Sequence, residues 1–234
     1  MFPLKDTNPS RSAPVVTLLI IFLCVFVFVF ELSLGRDGLD DFLHSYAVIP
    51  ERYLQHWGLD QAATVFSSMF LHAGWVHLTS NMWYLHVFGD NVEDRMGHFR
   101  FLIFYLVCGA AAAVLQVMFA PDSSLPMVGA SGAIAGVLGA YLVLFPEARI
   151  ITFIPIFLIP YFVEIPALFY LGFWFVMQFF TGIFSLGVSQ HVGADGGVAW
   201  WAHVGGFVTG IVLVKIFTAG RVYHEWYPDE YQPW

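Results

Sequence analysis

The chain has 234 residues, of which 59% are hydrophobic and only 11% charged, and its mean hydropathy is +0.72. That excludes an ordinary soluble domain, which needs far more charge to cover its surface. The net charge of -8 leaves few, scattered basic residues, so no nucleic-acid partner is expected.

The expected fold class is all-α, a polytopic membrane protein of six transmembrane helices with one sizeable loop, at roughly 20 residues per span. Residues 1–12 are polar, carry Lys5 and Arg11, and read as a cytoplasmic N-terminal segment. The membrane domain is expected over 13–218. Its first apolar run, 13–34, is too long for a signal-peptide core and no small-residue cleavage site follows it, so it reads as a retained helix. Residues 36–74 form an outer loop with acidic residues, aromatics and short helices. The second span is expected over 75–93 and the third over 99–120. The turn PDSSLP then leads to the fourth, 128–145. A stretch broken by Pro155, Pro160 and Pro166 is placed partly at the interface, with the fifth span over 162–185. The loop GVSQHVGADGG leads to the sixth, 198–218, and residues 219–234 form an acidic, aromatic cytoplasmic tail.

Six spans place both termini on one side of the membrane. That side holds Lys5, Arg11, Arg95, Arg100, Arg149, Lys215 and Arg221, against Arg36 and Arg52 opposite. Basic residues accumulate on the cytoplasmic side. Both termini are therefore expected to be cytoplasmic, in a bacterial inner membrane.

Polar side chains inside a membrane are costly and tend to mark function. His77 and Asn81 in the second span, Ser131 in the fourth and His203 in the sixth each follow closely after an outward-facing loop. At 1.5 Å per residue, all four fall within about 10 Å of the same outer surface. Three separate helices thus offer hydrogen-bonding groups at one depth.

Taken alone, a serine in GASGAIAGVLGA is ordinarily a small packing residue, and a His/Asn pair can simply hold helices together. Packing and chemistry are compatible here. Gly206 and Gly210 lie at i+3 and i+7 from His203, and Gly132, Gly136 and Ala140 make a similar stripe beside Ser131. Closing those stripes on each other would bring His203 next to Ser131. A serine hydroxyl is a poor nucleophile until a base takes its proton, which an imidazole of ordinary pKa about 6.5 can do near neutrality. No acidic residue lies in the outer half of these helices and Asp195 lies in the outer loop, so the expectation is a Ser–His dyad, not a triad. His77 and Asn81, at i and i+4, share a helix face and can donate to an oxyanion, with the Ser131 N–H beside them.

These motifs resemble those of the rhomboid intramembrane serine proteases. The likeness is carried by HLTSN, by GASG around Ser131 and by AHVGGFVTG around His203, in that order on the second, fourth and sixth helices. It implies Ser131 as nucleophile, His203 as general base, and His77, Asn81 and the Ser131 amide as oxyanion donors. Gly129 would be the first glycine of GxSG, and Glu93 in FGDNVED a buried structural glutamate. The fifth helix and residues 186–197 would be gate and cap. Substrates would be membrane-anchored proteins whose helix unwinds readily near a small residue. Two positions depart from the family's pattern. The aromatic one turn after the nucleophile is Ala135 here, leaving His203 to be oriented by another group, Trp200 or Trp201 among them. The Trp–Arg pair often seen in the first loop is absent at Trp57, which Gly58 follows.

Nine histidines invite a metal, yet His72 and His77 lack the i, i+4 spacing and the glutamate of a zinc-protease helix. An open zinc site needs three convergent ligands, so no metal and no cofactor is expected. His72 reads as lining a polar path for water, and Gln178 as facing the interior, either on such a path or bonded to a neighbour. An aspartyl protease needs two facing aspartates; Asp90 near an inner helix end and Asp195 do not meet. Expected partners are the bilayer and transmembrane substrates, with the oligomeric state open. The reading is an intramembrane serine endopeptidase acting near the outer face. The alternative is a catalytically inactive relative that binds transmembrane helices as a scaffold or chaperone, followed by a small transporter.

Overall fold

The computed structural model describes residues 1–55, 58–156, 159–188 and 198–221. In chain order the helices are α1 (Val15–Ser33), α2 (Gly35–Tyr46), α3 (Pro50–Gln55), α4 (Leu59–Ser67), a 3-10 turn at Ser68–Phe70, α5 (Trp75–Met96), α6 (His98–Phe119), α7 (Ser131–Leu144), α8 (Ala167–Val188) and α9 (Trp200–Thr218). In α1, Val16, Ile20, Cys24, Phe28 and Glu31 recur every three or four positions and are buried, while Phe22 and Phe26 are 64% and 63% exposed. An apolar outer face of this kind suits hydrocarbon. Among the described residues, α1, α6, α8 and α9 are long and apolar enough to cross a membrane. α5 has the length but carries Asp90, Asn91, Glu93, Asp94 and Arg95 near its end, and α7 is apolar with 14 residues. The architecture is a polytopic all-α bundle.

α7 is its centre. Gly132 to Tyr141 are all buried, as befits a helix that is hydrophobic on every side. α9 crosses it backbone to backbone: a Cβ on Gly206 would overlap the carbonyl oxygen of Gly132, and one on Gly210 that of Gly136. Lipid tails are as apolar as side chains, so helices in a bilayer associate through close van der Waals packing of this kind. At about 21 Å, α7 is too short to reach both faces of a hydrocarbon core of about 30 Å. The chain leading to Ser131 is anchored instead by an antiparallel bridge between Met127 and Val48 and by the Gly129 N–H, which donates to the Ser68 carbonyl at 2.9 Å. Those bonds pair backbone groups that no helix satisfies in this segment.

The end of the bundle that carries the N-terminus holds a small sheet that the sequence reading does not foresee. β1 (Phe2–Asp6), β2 (Arg149–Ile156) and β3 (Ile159–Pro166) pair antiparallel in the order β1-β2-β3. Ile150 and Thr152 on β2 are both fully buried, the period-2 signature of a strand with one covered face. The fifth long helix accordingly starts at Ala167, not at 162, because 159–166 are taken up in pairing with β2 and Pro166 closes the strand.

Residues 1–12 are likewise tied down. Trp83 Nε1 donates to the Pro3 carbonyl at 2.5 Å, the Tyr141 hydroxyl donates to Asp6, the Ser10 hydroxyl donates to Asp90 at 3.0 Å and that of Ser12 to Asp94 at 2.6 Å. Glu93, fully buried, accepts the N–H groups of Val16 and Thr17 at 2.8 Å each. These are two of the four donors that every helix N-terminus leaves unpaired, and a carboxylate also suits the positive end of the α1 dipole. At the other end of α1, buried Glu31 accepts the His72 N–H at 3.3 Å. Cys24 and Cys108 are free and buried.

Candidate active site

Ser131 opens α7, where the first N–H groups of a helix have no intrahelical partner. Its Oγ lies 2.8 Å from Nε2 of His203 in the first turn of α9. The helix crossing sets this distance, since Gly206 sits one turn after His203 and presses on Gly132, the neighbour of Ser131. A side chain at 206 would hold α9 away and draw the imidazole off the hydroxyl.

His203 is 9% exposed. Its second nitrogen, Nδ1, lies 2.6 Å from Oε1 of Gln178 on α8. Trp174, one turn earlier on α8, and Trp200 flank the ring with centroids at 5.9 and 6.2 Å. Trp201 stacks on Phe119 at 4.0 Å instead. Ala135 is fully buried at the α7–α9 crossing, facing Gly206, where the close backbones leave no space for an aromatic ring.

His77 and Asn81 converge from α5 on Gly129. Gly129 has φ +121°, a conformation side chains rarely tolerate, and a Cβ there would lie 2.6 Å from His77 Nε2 and 3.5 Å from Asn81 Nδ2. Glycine answers both constraints and lets the two side chains close over the backbone beside Ser131. Asn81 Nδ2 is buried with no hydrogen-bond partner among the described residues, a costly arrangement that calls for a reason. The His72 ring meets that of His77 edge to face at 5.2 Å, with its Nδ1 3.2 Å from the Phe70 carbonyl. Burial pushes the His72 imidazole down to about 4, and nearby His77 acts in the same direction, so His72 adds no positive charge here at neutral pH.

The sequence reading leaves the partner of Gln178 open and omits Gln116. Gln116 Oε1 accepts the Ala202 N–H at 3.2 Å, capping α9 just before His203. A lone amide in each of two apolar helices is the signal for both. Asp195, with the rest of 189–197, and the tail 222–234 lie outside the described residues.

A family model described as the Rhomboid domain matches residues 59–220, which contain α4 to α9. The chain belongs to the rhomboid family. Rhomboid protease GluP of Bacillus subtilis is 43% identical to it over 72 residues, covering 31% of this chain and 14% of that protein. RHOMBOID-like protein 1 of Arabidopsis thaliana is 31% identical over 153 residues, 65% of this chain and 34% of the relative. The mitochondrial Rhomboid protein 1 of Saccharomyces cerevisiae is 30% identical over 117 residues, 48% of this chain and 32% of the relative. The match spans 24%, 25% and 32% of the length of three such relatives, so most of each lies beyond it. This rhomboid is an integral membrane protein. Because its relatives carry mitochondrial and chloroplastic names beside a bacterial one, the bacterial inner membrane expected from the sequence gains no support from them.

Proposed function

We propose that this rhomboid is an intramembrane serine endopeptidase, hydrolysing peptide bonds of membrane-anchored proteins through a Ser131–His203 dyad. The observation that carries this reading is the 2.8 Å contact between the Ser131 hydroxyl and His203 Nε2. His203 Nε2 takes the hydroxyl proton as Ser131 Oγ attacks the scissile carbonyl carbon, then returns that proton to the leaving amine. A water activated by the same imidazole hydrolyses the acyl-enzyme. The oxyanion of each tetrahedral intermediate is met by the Ser131 N–H and by His77 and Asn81, which close over Gly129. Each such donor typically contributes about 2.7–4 kcal/mol to the transition state. The roles of Gly132, Gly206 and Gly210 are to let the two helices approach closely enough for the dyad to form.

In the same proposal α5 and α7 join the other four long helices as spans, with both termini cytoplasmic and the dyad near the outer face. Non-helical backbone before Ser131 then lines a partly watered cavity, where Ser131 itself is half-buried. Substrates are transmembrane proteins whose helix unwinds near a small residue.

The test is cleavage of a model transmembrane substrate by the purified protein, beside Ser131→Ala and His203→Ala. Each substitution is expected to abolish cleavage while thermal stability is retained, and a fluorophosphonate is expected to label wild type at Ser131. Undiminished cleavage by Ser131→Ala rejects the mechanism. A folded wild type that neither cleaves nor labels favours an inactive relative that binds transmembrane helices.

A further inference from the structure

We infer that Gln178 of α8 is a positioning residue for this dyad, its amide oxygen holding His203 in the tautomer that leaves Nε2 free to face Ser131. The inference rests on the proposed dyad and adds to it the origin of the histidine's protonation pattern. A neutral imidazole carries one proton, on Nδ1 or on Nε2. If Nε2 carried it, that nitrogen would donate to the serine oxygen and would have no lone pair with which to take the hydroxyl proton. The proton must sit on Nδ1, and a buried Nδ1–H needs an acceptor.

That acceptor is Gln178 Oε1, 2.6 Å from Nδ1. Among the described residues the group that meets Nδ1 is this amide and not a carboxylate. The bond also accounts for an amide within the run FWFVMQFF, on a helix whose neighbouring Met177, Phe179 and Phe180 are exposed apolar residues. A polar side chain there is expensive unless it is bonded. Trp174, one turn before Gln178, packs on the same imidazole and on Phe207 at 5.9 Å each. α8 therefore presents a ring and an amide to His203 together, whereas α7 has no space for a ring at Ala135 because Gly206 closes on it. Since the bond crosses from α8 to α9, the productive tautomer is held only while those two helices stay packed.

Two substitutions separate positioning from packing. Gln178→Leu keeps the volume and removes the acceptor, while Gln178→Glu keeps an acceptor and adds charge. In Gln178→Leu, kcat for the model substrate and the rate of fluorophosphonate labelling should both fall about 10- to 100-fold, by analogy with the loss of groups that orient metal-ligating histidines, with KM little changed. Gln178→Glu should restore most of kcat and move the acidic limb of the kcat/KM profile to higher pH, because a carboxylate stabilises the imidazolium. The tautomer itself is read from 15N spectra of histidine-labelled protein, using the signal lost in His203→Ala: Nδ1-protonated in wild type, mixed in Gln178→Leu. Unchanged kcat, labelling and tautomer in Gln178→Leu overturn the assignment, as does an equal loss in both variants with the tautomer unmoved. A wild type that neither cleaves nor labels refutes the protease reading alone, and the 15N spectra then still decide the role of Gln178.

Discussion

Gly206 of α9 lies against the carbonyl of Gly132 of α7 with no room for a side-chain carbon between them. One approach thus serves fold and site, because Ser131 precedes Gly132 and His203 stands one turn before Gly206. Gly206→Ala is expected to cost about 1–3 kcal/mol through overpacking and to lower cleavage further by separating Nε2 from Oγ. Gly172→Ala on α8 is the control, since nothing lies within 4 Å of a Cβ there. Thermal unfolding and cleavage assays of the two variants side by side check this, and equal stability would show that the crossing tolerates a methyl group.

Asn81 offers a separation of stability from activity. Its Nδ2 is buried and unpaired among the described residues, so its removal relieves a desolvation cost of about 1–3 kcal/mol. Asn81→Ala is therefore expected to unfold no more easily than wild type while kcat falls about 10²- to 10³-fold. A variant that loses stability and keeps its kcat would assign Asn81 to helix packing instead.

Glu93 should behave in the opposite way. Its carboxylate accepts the Val16 and Thr17 N–H groups, and His98 Nδ1 lies 2.5 Å from it. Glu93→Ala strands two buried donors, at about 1–3 kcal/mol each. Glu93→Gln, which keeps one acceptor, is expected to lose less. Amide exchange in the first turn of α1 reports the effect directly, and wild-type protection in Glu93→Ala would contradict it.

Docking of β1 should depend on pH. Burial pushes the Asp6 carboxyl up from its ordinary 3.8 to about 7, opposed by the bond from the Tyr141 hydroxyl and reinforced by Asp90. The docked strand thus favours the protonated acid, whereas the detached strand ionises near 3.8. The stabilisation is fully present below about 4 and is lost as pH rises through about 7. Protection factors of residues 2–6 should be higher at pH 5 than at pH 8, and Asp6→Asn should flatten the difference. Higher protection at pH 8 in wild type would reverse the assignment.

The long helices were legible because apolar run length marks a span, and the candidate site residues stood out because polar groups in such runs are costly. The glycine stripes beside Ser131 and His203 meet in the structure, Gly206 on Gly132 and Gly210 on Gly136. The sheet left no comparable mark. Pairing of Phe2 with Phe153 joins chain segments far apart in sequence, and prolines at 155, 160 and 166 read more naturally as interruptions than as a hairpin. Gln178 was visible as an anomaly without a partner, because a helix that is apolar nearly all round does not encode its own rotation.

From its amino acids alone, then, this protein reads as a membrane bundle in which a serine, two histidines and an asparagine are expected at one depth. Folding in three dimensions supplies the 2.8 Å between Ser131 and His203 and the choice of Gln178 for Nδ1. Those depend on how closely α7, α8 and α9 approach and how each is turned about its axis. Both are properties of helix pairs, set by packing against neighbours, and no pattern within a single helix contains them.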